Sequence, residues 1–110
     1  MSESFLLQVK TLVGKERDLL LSLKNQLEKD LQIAIESANP EDLVNSVHDH
    51  LRHKATEASY LQSILYRVDV SEAQLAEAFR TRSWSEPEII TWCILEREWQ
   101  KVQFRKNYPS

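Results

Sequence analysis

Apolar residues recur at spacings of three and four along most of the chain. The first stripe runs through Phe5, Val9, Leu12, Leu19, Leu23, Leu27, Leu31, Ala34 and Ala38, which marks one face of an α-helix. Gly14 lies inside the stripe, yet the phase is the same on both sides, with Glu16 in the stripe position between Leu12 and Leu19. A glycine costs a helix about 1 kcal/mol without having to break it. The pattern therefore predicts one helix over residues 4–38, bent at most at Gly14. At 1.5 Å per residue such a helix is roughly 50 Å long, whereas a compact chain of this size is only about 35 Å across.

Asn39-Pro40-Glu41-Asp42 marks the next helix start. Asn39 can cap, Pro40 suits the first helical position, and the two acids favour the positive end of the helix dipole. The following stripe, Leu43, Val47, Leu51, Ala55, Ala58, Leu61, Leu65 and Val68, predicts a helix over 40–67. Ser71-Glu72-Ala73-Gln74 reads as a capping box before a short helix over 72–80. Ser85-Glu86-Pro87-Glu88 reads as a second box before a last helix over 86–106. The whole predicts a single all-α domain over residues 1–110: an elongated antiparallel helical bundle of three long helices and one short one. The first helix would project, or pair with a second copy.

Composition agrees with the helical reading. One glycine and three prolines in 110 residues leave few breakers. The net charge of −3 does not favour nucleic acid. Cys93 is the sole cysteine, so no intrachain disulfide can form. The acidic, interrupted N-terminus is unlike a signal peptide, and no apolar run has the length of a membrane span. A cytoplasmic location is the expectation.

Few residues carry candidate chemistry. His50, His53 and Glu57 share one side of the predicted second helix and are possible metal ligands, while His48 points elsewhere. A further ligand from another helix would be needed, and the paired Glu-x-x-His motifs of helical metal sites are absent. Lys54 falls within the second stripe, where it would pair with Glu16 or Glu57 or extend its ammonium to water. Residues 71–91 resemble the start of a helix-turn-helix, but the turn lacks glycine and the would-be recognition helix opens with Glu86 and Glu88, which repel phosphate. Arg80 and Arg82 beside that helix start suggest an anion site that the two glutamates already satisfy. Cys93 sits in an apolar run as a buried thiol. One glycine cannot build a phosphate loop, and no serine lies in a nucleophile elbow.

The last helix has two apolar stripes. Ile89, Trp92, Leu95, Trp99 and Val102 form the natural core face, with both tryptophans buried. Ile90, Ile94, Phe104 and Tyr108 form a second stripe on the other side. A helix apolar on two sides is usually buried on two sides, so the second stripe is the candidate partner interface. Leu7, Leu21 and Ile33 are further apolar residues lying off the first stripe. The sequence thus predicts a non-enzymatic protein–protein interaction module, a small helical adaptor or chaperone-like protein. It would be a homodimer joined through its C-terminal and N-terminal helices, with no cofactor, nucleic acid or membrane partner. The alternatives are a metal-binding or catalytic protein using His50, His53 and Glu57, and a DNA-binding regulator. In architecture alone, without a shared motif, the chain is loosely similar to secretion chaperones and coiled-coil adaptors.

Overall fold

Gly14 stops the first helix. Its φ of 67° and ψ of −154° lie where only glycine rests easily, and its amide donates to the Lys10 carbonyl at 3.1 Å to close the last turn. In the computed structural model, which describes residues 1–54 and 57–107, six helices follow in order: α1 (Glu3–Val13), α2 (Arg17–Leu31), α3 (Pro40–Lys54), α4 (Ala58–Val68), α5 (Glu72–Thr81) and α6 (Glu86–Asn107).

The elongated bundle of three long helices and one short one is therefore corrected to a compact all-α globule of six helices, 35 × 29 × 27 Å in extent. Both long N-terminal predictions are broken. The span 4–38 is divided at Gly14–Glu16 and ends at Leu31, where Gln32 takes the left-handed conformation (φ 56°). The span 40–67 is divided into α3 and α4, with Glu57 at the N-cap of α4. Broken in this way, the apolar stripe folds back on itself and buries its surface inside one chain. An unbroken stripe would need a second copy to cover it.

Polar side chains hold these breaks. Beyond α2, the Glu28 carboxylate accepts from the Ile35 amide at 3.0 Å and pairs with Lys24 at 3.1 Å. The Ile35 amide, then Lys24, hold the Glu28 carboxyl below its ordinary value. Arg67 on α4 donates to the Asp30 carbonyl at 2.9 Å, satisfying an end carbonyl of α2. Asn39 accepts from the Glu41 amide at the start of α3. The predicted capping boxes form at Ser71/Gln74 and Ser85/Glu88. Glu88 also receives the Ser2 amide at 2.8 Å and the Ser2 hydroxyl at 3.0 Å, which pins the N-terminus of the chain to the start of α6. Burial opposes ionisation of Glu88, but the Ser2 and Ser85 donors outweigh it and bring the carboxyl down to about 2.

Helix α6 is the axis of the molecule and packs against each of the other five. Every residue from Glu88 to Leu95 is buried, and the helix becomes one-sided only toward its C-terminus. Trp92 and Trp99 lie in the core as predicted. At the α5–α6 turn, Arg82 stacks over Trp84 and Trp92 at 4.7 and 4.4 Å from the ring centroids, and Phe5 meets Trp84 edge-on.

Replacing Gly14 by alanine is expected to cost about 1–3 kcal/mol from backbone strain alone. No atom lies within 4 Å of the position that a Cβ would take, so there is no clash to relieve. Denaturant melts of Gly14→Ala check this, and an unchanged midpoint would show that the α1–α2 link relaxes freely.

Candidate functional site

The residues singled out from the sequence do not come together. Ile90 and Ile94 are core residues, with Ile94 0 % exposed, covered by the helices packed around α6. Phe104 is 64 % exposed, near the C-terminal end of the same helix. Tyr108 lies outside the described residues. Of the described members of the second stripe, Ile90 and Ile94 are thus core and Phe104 is exposed.

The histidine group is divided by the α3–α4 break. His50 Nε2 lies 2.6 Å from the Tyr60 hydroxyl and fastens α3 to α4, while His53 Nδ1 lies 2.7 Å from the Asp49 carbonyl oxygen. Glu57 belongs to the start of α4 rather than to the histidine face. Among the described residues, no three His, Cys, Asp or Glu side chains are grouped as metal ligands would be. His48 is buried, and burial followed by the nearby N-terminal amine lowers its imidazole pKa.

The Lys54 side chain lies outside the described set, and Glu16 pairs instead with Lys106 at 2.6 Å. Arg80 pairs with Glu77, and Arg82 donates to Gln8 beneath the tryptophans, so neither forms an anion site at the start of α6. From Glu88 to Leu95, the part of α6 that a helix-turn-helix would insert into a DNA groove is itself buried. Cys93 is buried, and burial raises its thiol to about 11.

A different group of residues is brought together where α2 meets the C-terminal half of α6. Glu98 is 0 % exposed and shares Lys101 with Asp30: the ammonium lies 3.2 Å from Glu98 Oε2 and 3.4 Å from Asp30 Oδ2. Gln26 donates to the same Asp30 oxygen at 2.8 Å. Burial, then the neighbouring Asp30, raises the Glu98 carboxyl to about 8 against the pull of Lys101. Burial also opposes ionisation of Asp30, but hydrogen bonds from Glu98, Gln26 and Lys101 outweigh it and lower that carboxyl. The two carboxyls thus shift in opposite directions, as two buried acids sharing one ammonium do. Both Glu98 oxygens are buried, with the Lys101 ammonium 3.2 Å from Oε2.

Above this pair runs a groove of about 530 Å³ lined by Gln26, Lys29, Arg97, Gln100, Lys101, Phe104 and Arg105. It carries four cations and no carboxylate, in a chain of net charge −3. A second groove adjoins it through Gln26, Lys29 and Arg105, and its far end carries Glu16 and Asp18. Three of the four cations are held in place. Arg97 pairs with Asp69 at 3.1 Å, Arg105 donates to Gln26, and Lys101 is pinned from below by the carboxyl pair.

One signal in the sequence points to this place. Glu98 lies four residues from both Ile94 and Val102, an acid in the apolar phase of α6. The cations give no such signal, because exposed Lys and Arg are the ordinary surface of any helix. The chain matches no protein-family model, and comparison with curated proteins and with solved structures likewise gives no match.

Proposed function

We propose that this chain is a non-enzymatic interaction module, a small helical adaptor or chaperone-like protein that takes a protein partner along the α2–α6 edge. The observation that carries this reading is the pair of adjoining grooves between α2 and α6, with the half-exposed ring of Phe104 beside fixed cations. Catalysis is a poorer use of the site, because its one strongly perturbed carboxyl, on Glu98, has no exposed surface for a substrate to reach. A second copy as the partner has lost both of its arguments: α1 and α2 fold back on one chain, and Ile90 and Ile94 are covered from within. A reducing, cytoplasmic setting suits the buried Cys93 thiol. Among the described residues, no helix is long and apolar enough to cross a membrane.

The test is site-specific photo-crosslinking of the native protein in its own cells. The crosslinker replaces Phe104 in one variant and Tyr66, which is 89 % exposed on α4, in another. A discrete adduct from position 104 and not from 66 is the expected result. Adducts from 66 alone, or from neither position, would sink the reading. An adduct of twice the chain mass from 104 would make the partner a second copy.

A further inference from the structure

We infer that the partner segment held by the α2–α6 groove is an acidic peptide stretch with one apolar anchor, the anchor resting on Phe104 and its carboxylates meeting Lys29, Arg97, Lys101 and Arg105. This rests on the interaction-module reading and names the chemistry of the partner. Charge complementarity carries it. Four cations line one concave strip of a chain whose net charge is negative, against three carboxylates at its border, Asp69, Asp30 and Glu98, so the strip keeps a local excess of positive charge that the molecule as a whole lacks.

Three of the four cations are also pre-oriented. Arg97 and Arg105 are each anchored by a neighbour, and Lys101 is held by Asp30 and Glu98. Less side-chain freedom is lost on binding than for loose surface lysines. Arg97 gives its Nε and one terminal nitrogen to Asp69, and Arg105 gives one terminal nitrogen to Gln26, so each meets a ligand carboxylate with its remaining donors.

The neighbouring groove decides between a peptide and a nucleic acid. Glu16 and Asp18 stand at its far end, beyond Lys29 and Arg105. A continuous phosphate backbone following the strip would run onto Asp18 and the Glu16–Lys106 pair rather than onto further free cations. A short acidic stretch fills the inner groove alone, and an amide or basic residue beyond it suits Asp18.

Selection from a random peptide display library on the full-length protein, followed by titration of the enriched peptides, tests this. Enriched sequences should combine Asp and Glu with one aliphatic or aromatic residue. They should bind more weakly as salt is raised, and at least about tenfold more weakly to the K29E/R105E variant. Both positions are exposed, and circular dichroism of this variant and of the milder K29A/R105A pair confirms that the fold is kept. Enriched peptides that are neutral or basic but still depend on Phe104 would overturn the acidic assignment and leave the module reading standing. Peptides indifferent to every α2–α6 substitution, or no enrichment, would overturn both. Single-stranded DNA competing as well as the best peptide would also overturn the assignment.

Discussion

Replacing Ile94 by aspartate is expected to unfold the chain or leave it barely stable. Ile94 is fully enclosed at the centre of α6, among Ile90, Leu95 and the helices that pack on every side. A carboxylate there has no partner and no route to water, and the lost packing adds to the penalty. Such substitutions cost about 4–5 kcal/mol or more, against a total stability of about 5–15 kcal/mol for a domain. Phe104→Asp, on the same predicted stripe but exposed, should change stability by no more than about 0.5 kcal/mol. Far-UV circular dichroism with urea melts checks both. An Ile94→Asp protein that melts cooperatively within about 1 kcal/mol of the native chain would put Ile94 back on a surface.

The second large effect concerns Glu98. Its carboxyl is raised from an ordinary 4.5 to about 8, so the folded state keeps a proton that the unfolded chain has released. Below about pH 4.5 both states are protonated and Glu98 leaves stability unchanged with pH. Between about 4.5 and 8 the folded state binds more protons, so this group makes stability fall as pH rises, and above about 8 the loss is complete. Asp30 acts in the opposite sense, because its lowered carboxyl favours folding above its ordinary value and loses that contribution in acid.

Glu98→Gln removes the titration and keeps the shape. Its amide can donate to Asp30 while its carbonyl accepts from Lys101. The variant should match the native chain near pH 4.5 and exceed it by roughly 2–4 kcal/mol above pH 8, the range for relief of a buried charge. Melts of the two proteins across this span decide it. A difference that stays constant with pH would mean that Glu98 does not titrate there.

The α2–α6 region shows how far the chain could be read in advance. Asp30 and Glu98 each fall in the apolar phase of their helix, and that irregularity is visible in the sequence. Their meeting is not visible, because they lie 68 positions apart and are joined only when α2 packs on α6. Lys29, Arg97 and Arg105 were illegible for a different reason. An exposed basic residue on a helix is the commonest case, and only the packing of two helices turns several of them toward one groove.

The sequence by itself determined the helical character of the chain and most of its helix starts. Asn39-Pro40, Ser71-x-x-Gln74 and Ser85-x-x-Glu88 act through hydrogen bonds within a few residues and need no distant partner. The burial of Trp92 and Trp99 was equally legible from the apolar phase of α6. Tertiary structure decided where the long stripes break. Helical phase continues across Gly14, and Gln32 gives no local warning of its left-handed turn, yet a 110-residue chain buries more apolar surface by folding its stripe back than by extending it. Tertiary structure also decided that α6 is enclosed. Two apolar stripes on one helix fit a second copy or a central position equally well, and the five helices gathered around α6 cover Ile90 and Ile94 within one chain.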